Sequence, residues 1–276
     1  MITLTPVKKF TYPVNAECIN PDVFQGKAKA EIANLSLFEG NQQKKLSDLF
    51  KIEQDKTESP SITINGDVSE VRRIGMGMKN GEIVINGNVG MHLGEKMAGG
   101  KITVNGNAAQ WTRSAMKKGL IEIHGDAGDY LASPYRGSTE GMKGGKIVVD
   151  GNVGSDSGCY LQGGLIKIKG SNTGQFLGFH MSDGTIHVEK NAGTRLGANM
   201  IGGKIVVSGA IEEMMPSFSI DGVKPKVKID ETETAAGPFY VFLGDLAEKG
   251  KGKIFASKAN NPNFPRRAGC FGLTIF

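Results

Sequence analysis

One phrase recurs along most of this chain, and its length leaves few folds open. MKNGEIVINGN (78–88), MHLGEKMAGGKITVNGN (91–107), MKKGLIEIHGD (116–126), MKGGKIVVDGN (142–152), LQGGLIKIKGS (161–171), MSDGTIHVEKN (181–191) and MIGGKIVVSGA (200–210) are versions of it. A closing glycine falls at Gly66, Gly87, Gly106, Gly125, Gly151, Gly170 and Gly209, with Lys190 in the remaining place, and most steps are 19 residues. Self-similarity at a fixed period must be read before any motif inside it. Nineteen residues are too few for a strand–helix–strand unit, which needs about 30.

Each unit carries an Ile-x-[Ile/Val] pair, from Ile62/Ile64 and Ile83/Ile85 through Ile102/Val104 to Ile205/Val207. Period-two alternation puts both members on one strand face, and β-branched residues suit strands. The residues between them, among them Thr63, Glu122, Lys167, His187 and Val206, are mixed and predict a partly exposed outer face. Met78, Met97, Met116, Met142, Leu161, Met181 and Met200 form an apolar column that predicts core filling. Glycine doublets such as Gly99-Gly100 predict tight corners. The column Asp67, Asn88, Asn107, Asp126, Asn152 and Asn191 predicts left-handed turns with local hydrogen bonds. The expected fold is all-β: a single β-helix (solenoid) of about eight coils with short non-repeat caps at both ends. Residues 1–58 are the N-terminal cap, with a helical pattern over 27–38; residues 59–210 are the solenoid. Residues 211–276 form a C-terminal cap, two strand-like pieces over 237–257 and a partner-docking tail.

Chemistry is sparse by comparison. The three GGK triplets lack the spacing of a phosphate loop and run into strands rather than a helix. His92, His124, His180 and His187 fall in four different columns of the repeat, so stacking does not gather them as metal ligands. The 3 cysteines are far apart with no CxxC pair, which predicts reduced thiols rather than a disulfide framework. A net charge of +5 does not demand nucleic acid. No signal peptide or long apolar run is present, so the chain reads as not exported and not membrane-bound. Catalytic, cofactor-binding and metal residues are therefore expected to be none on this chain. Function is better sought where the repeat breaks. AQWTRSAM (109–116) brings Trp111 and Arg113, and the insertion DYLASPYRGSTEG (129–141) brings Tyr135 and Arg136. Trp, Tyr and Arg are the residue types of interface hot spots, so these four are the candidate interface.

The rungs MHLGEKMAGGKITVNGN and GMKGGKIVVDGNVG, the opening NPDVFQGK (20–27) and the segment FLGDLAEKGKGKIFAS (242–257) together resemble the family of formylmethanofuran dehydrogenase C subunits. The rungs alone are similar to the wider GXGXG β-helix family of glutamate synthase C-terminal domains. The fuller resemblance implies a cytoplasmic, non-catalytic scaffold subunit of an oxidoreductase complex in methanogenic archaea, which reversibly fixes CO2 onto methanofuran as a formyl group. It implies that the cofactors lie on other subunits: a molybdopterin-bound molybdenum or tungsten, iron–sulfur clusters and a dinuclear metal site. The implied partners are the Mo/W-pterin subunit, an amidohydrolase-like subunit with the dinuclear site, and ferredoxin-like subunits. Two other assignments fit the rungs: the matching subunit of a formyltransferase/hydrolase complex, and a glutamate-synthase-like structural domain.

Overall fold

The structure is a computed structural model and describes residues 1–55, 60–112 and 115–264. Along the chain the strands are β1 (Ile2–Pro6), β2 (Val14–Asn15), β3 (Ser36–Glu39), β4 (Gln42–Lys45), β5 (Phe50–Gln54), β6 (Ser61–Asn65), β7 (Val71–Arg72), β8 (Glu82–Asn86), β9 (Lys101–Val104), β10 (Leu120–Ile123), β11 (Lys146–Val149), β12 (Gln162–Ile168), β13 (Asp183–Val188), β14 (Lys204–Val207), β15 (Ser219–Lys228), β16 (Thr234–Gly244) and β17 (Gly252–Ser257). The α-helices among the described residues are short and N-terminal: α1 (Pro21–Phe24), α2 (Lys29–Ala33) and α3 (Leu46–Leu49).

The repeat strands β6 and β8 to β14 pair in parallel, in the register the period predicts. Ile62, Ile83, Ile102, Ile121, Ile147, Ile166, Ile186 and Ile205 are successive partners. Both members of every Ile-x-[Ile/Val] pair are buried, as is the whole Met78-to-Met200 column. The second glycine of a doublet has the predicted left-handed backbone; at Gly100 (φ 77°) a Cβ would also sit 2.5 Å from Met78 Cε. A second parallel series of single bridges runs through Val68, Val89, Ala108, Ala127, Val153, Asn172, Ala192 and Ile211.

The expectation of a single β-helix closed by short caps is corrected by the sheet order. One mixed sheet of thirteen strands runs β15-β16-β17-β14-β13-β12-β11-β10-β9-β8-β6-β1-β5, beside a four-stranded sheet β4-β3-β2-β7. Strands of both end regions, β1 and β5 at one side and β15 to β17 at the other, are members of the large sheet, while the end of the expected partner-docking tail, 265–276, lies outside the described residues. At one end β1 adds parallel to β6, and β5 adds antiparallel to β1. At the other, β17 adds parallel to β14, with Ile254 extending the isoleucine series past Ile205, and β16 and β15 follow antiparallel. The physical reason is that a ladder leaves unpaired N–H and C=O groups wherever it stops. Segments such as ITLTP and GKIFAS alternate well enough to pair there, although they carry no repeat motif.

Three smaller expectations are also corrected. The helical pattern over 27–38 is helical only across Lys29–Ala33, after which Ser36–Glu39 pairs as a strand with Gln42–Lys45. The Asn/Asp column is not left-handed. Asp67 makes the expected local bond, accepting from Ser69 N–H at 3.1 Å, but from Asn88 on, the side-chain oxygens accept from the next rung: Asn107 N–H donates to Asn88 Oδ1 (2.9 Å), Asp126 N–H to Asn107 Oδ1 (2.8 Å) and Asn152 N–H to Asp126 Oδ1 (2.7 Å). Stacking at strand spacing places each side chain beside its neighbour's amide, so the bond across rungs outcompetes the local one. Finally, the outer face is covered over the C-terminal strands. The β15–β16 hairpin lies on it, and Val227, Ile229, Ala235, Phe239 and Val241 pack with Leu165, Val206 and Phe255 in a second apolar cluster.

Candidate interaction site

After most of the single bridges the chain turns a corner through alternate left-handed residues. Examples are His92, Gly94 and Lys96 (φ 63°, 62° and 56°) and Asp156, Gly158 and Tyr160 (56°, 71° and 54°). The middle position faces the core: a Cβ on Gly94 would lie 2.8 Å from Ile121 Cδ1. The first position of each corner forms a column, Arg73, His92, Trp111, Tyr130, Asp156, Phe176 and Arg195, all left-handed and none glycine. Side chains there superpose from rung to rung. Trp111 and Tyr130 stack with centroids 4.7 Å apart and planes at 4°, and His92 stacks on the other side of Trp111 at 6.0 Å. Arg195 lies 5.0 Å over the Phe176 ring. Face-to-face aromatic and cation–π contacts hold such a column together.

The insertion after Tyr130 folds back onto this column. Tyr135 lies against His92, with ring centroids 5.0 Å apart. Its hydroxyl donates to Glu95 Oε2 at 3.2 Å and is 3.2 Å from His92 Nδ1. Glu95 is buried, and Arg73 Nε is 3.7 Å from its carboxylate while the same guanidinium bonds Glu17. Burial pushes the His92 imidazole below its ordinary pKa, against a smaller opposing effect of Glu95. Burial likewise raises the Tyr135 phenol, with Glu95 adding to it. Arg136 reaches across with Nη2 3.4 Å from the Tyr130 hydroxyl. Beside these groups is a cavity of about 240 Å³ lined by Tyr130, Tyr135, Arg136, Asp156, Cys159 and Phe179. The Cys159 thiol in its wall is pushed up to about 12 by burial, so it stays protonated and is a poor nucleophile.

Of the four interface residues named from sequence, the structure brings three into one surface. Trp111 and Tyr135 join through His92, and Trp111 and Arg136 join through Tyr130. Arg113 lies outside the described residues. Sequence reasoning missed His92, Glu95 and Arg73 as members. The signal was available, because 73, 92, 111 and 130 are 19 apart. A stacked aromatic surface, with Arg73 and exposed Tyr135 converging on buried Glu95, is the candidate interaction surface of this chain.

Another group was hidden for a different reason. His187, Glu189 and Glu233 place one ligand atom each within 4.8 Å of one another. Glu233 comes from the hairpin turn outside the repeat, which no column arithmetic reaches.

No family model matches the chain. The C subunit of a tungsten-containing formylmethanofuran dehydrogenase 2 from Methanococcus maripaludis is 49% identical over 257 residues, which cover 91% of this chain and 94% of the relative. A counterpart of the same name from Methanococcus maripaludis strain S2 is 46% identical over the same shares. The C subunit of a molybdenum-containing formylmethanofuran dehydrogenase 1 from Methanothermobacter marburgensis is 45% identical over 91 residues, 33% of this chain and 23% of the relative. Among solved structures, a chain in the crystal structure of the formyltransferase/hydrolase complex (FhcABCD) from Methylorubrum extorquens with methylofuran aligns with a TM-score of 0.81 at 27% identity. That alignment covers 92% of this chain and 99% of the other. With identity near one half sustained over 91% of its length, the chain belongs to the family of formylmethanofuran dehydrogenase C subunits.

Proposed function

We propose that this chain is the non-catalytic scaffold subunit of a formylmethanofuran dehydrogenase, and that it holds the catalytic subunits in register so that an intermediate made at one site reaches the next without escaping. The observation that carries the reading is the 49% identity over 91% of the chain. The corner column supports it: Trp111, Tyr135 and Arg136 converge on a stacked surface of the kind partners dock on. In this reading the Mo/W-pterin subunit, the amidohydrolase-like subunit with its dinuclear site and the ferredoxin-like subunits are the partners, in the cytoplasm. Among the described residues no helix is long and apolar enough to cross a membrane. The residues here do not fit an iron–sulfur cluster. The chain has 3 cysteines where a cluster takes four thiolates, and burial holds Cys18 up at about 11 and Cys159 at about 12. No reaction step is assigned to this chain.

The test is to pull the chain from native extract and identify its partners by mass spectrometry, with molybdenum and tungsten measured in the same eluate. Co-elution of a pterin-binding subunit with either metal is the expected result. Elution with formyltransferase and hydrolase subunits but without either metal would favour the second reading, membership of a formyltransferase/hydrolase complex, which the structural likeness to the FhcABCD chain supports.

A further inference from the structure

The hairpin that covers the sheet also closes over a cluster of charged groups. His187 is on the outer face of β13, in register between Lys167 of β12 and Val206 of β14. It is only 3% exposed. Its Nε2 lies 3.2 Å from Ser208 Oγ. Its Nδ1 is buried, finds no hydrogen-bond partner among the described residues, and points to Glu233 Oε1 at 3.5 Å. Glu189, just past β13, and Glu233, on the turn between β15 and β16, complete the group. The ammonium of Lys167 sits between the carboxylates, 3.0 Å from Glu189 and 2.7 and 2.8 Å from the two oxygens of Glu233.

These distances leave a local imbalance. Two carboxylates face one ammonium, so one negative charge is uncompensated within the cluster. In the tautomer with Nε2–H donating to Ser208, Nδ1 presents a lone pair toward a carboxylate oxygen, a repulsive contact; in the other, Nδ1–H faces Glu233 outside hydrogen-bonding geometry. Burial opposes the protonation that would relieve it. A cation with a vacant orbital resolves both problems at once, because it accepts the nitrogen lone pair and neutralises the second carboxylate.

We propose that His187 Nδ1 and the carboxylates of Glu189 and Glu233 form a binding site for a divalent transition metal of the zinc type, with the Lys167 ammonium as the cation it displaces. The donor set decides the class. Imidazole with carboxylates suits zinc, whereas calcium and magnesium take oxygen ligands. Bond lengths of about 2.0–2.2 Å in a tetrahedral site imply donor separations of about 3.4 Å. His187 Nδ1 and Glu233 Oε1 are already 3.5 Å apart, and partly exposed Glu189 has room to close. Ser208 plays the supporting part by fixing the imidazole tautomer. Three protein ligands leave a fourth position for water or for a side chain of another subunit. A bound metal ties the hairpin tip to the sheet.

The full-length chain, stripped with chelator, is titrated with zinc chloride by calorimetry, and bound zinc is counted by elemental mass spectrometry. One zinc per chain is expected, with a rise in melting temperature because the metal binds only the folded state. Glu233→Gln should weaken binding at least tenfold and His187→Ala should abolish it. Lys167→Met should tighten it at least tenfold, since the competing ammonium is gone. Absence of stoichiometric zinc in the wild-type chain overturns the proposal, whatever Lys167→Met does, and so does wild-type affinity in His187→Ala. Should His187→Ala fail to fold, cobalt in the wild-type chain decides. Intense visible bands of a four- or five-coordinate ion support the site, and the faint spectrum of hexaaqua cobalt overturns it.

Discussion

A left-handed backbone at a residue with a side chain normally costs stability, and here the cost recurs at each corner. First positions such as Trp111 and Tyr130 carry it with side chains that stack on the neighbouring rung, while inward Gly94 has no room for a Cβ. Gly94→Ala therefore meets two penalties at once, a strained φ of 62° and a Cβ 2.8 Å from Ile121 Cδ1. It should lower stability by about 1–3 kcal/mol in urea titrations. Lys96→Gly, two residues on at φ 56°, should change it by less than about 1 kcal/mol, and an equal loss at both positions would refute the distinction. His92 adds a pH dependence. Its folded pKa lies below the ordinary value because burial disfavours the imidazolium. As pH falls below about 6.5, the unfolded chain takes up a proton that the folded chain refuses, so stability declines from about pH 7 downward through the folded pKa. His92→Gln should make that part of the stability curve shallower, leaving the share of buried His187.

At the scale of elements, the hairpin β15–β16 is a second structure laid on the first. Phe239 and Val206 are its packing contacts with the sheet, both at most 1% exposed. Phe239→Ala should cost about 3–5 kcal/mol, measured as a shift of the denaturation midpoint; a loss below about 1 kcal/mol would mean that the hairpin is not packed on the sheet. This element also marks the boundary of what could be read in advance. The register of Ile62 through Ile205 and the burial of the methionine column followed from the period, because identical spacing forces identical partners. The two strand-like pieces over 237–257 were also legible, and they fall in β16 and β17, joined by a 3-10 turn at Leu246–Glu248. The thirteen-strand mixed sheet did not follow, because β1, β5, β15, β16 and β17 have no repeat to announce which neighbour they join. His187 stood in the open column of a half-exposed face until a segment some 40 residues later covered it. Trp111, Tyr135 and Arg136 were recognised as departures from the repeat, but their convergence depended on how the insertion after Tyr130 turns back.

For the molecule as a whole, the arrangement of edges decides where a partner can bind. The strand at one end, β5, presents the exposed pair Lys51–Glu53 (2.7 Å). The strand at the other, β15, presents exposed Lys224, Lys226 and Lys228 around Pro225. Charged side chains and proline are what keep sheet edges from pairing with other strands. The ends are thus poor docking edges, whereas on the flanks the corner column offers aromatic surface instead of backbone. On the proposed reading Trp111 and Tyr135 would be anchors of an interface whose central residues carry most of the binding energy. Replacing both with alanine should weaken subunit association by at least about 2 kcal/mol, roughly 30-fold in Kd, read as loss of co-purifying subunits at unchanged expression. The melting temperature of the isolated double variant separates the causes. Native-like melting with lost partners assigns the surface to assembly, whereas full recovery of the complex by a folded double variant would remove the corner column from the interface.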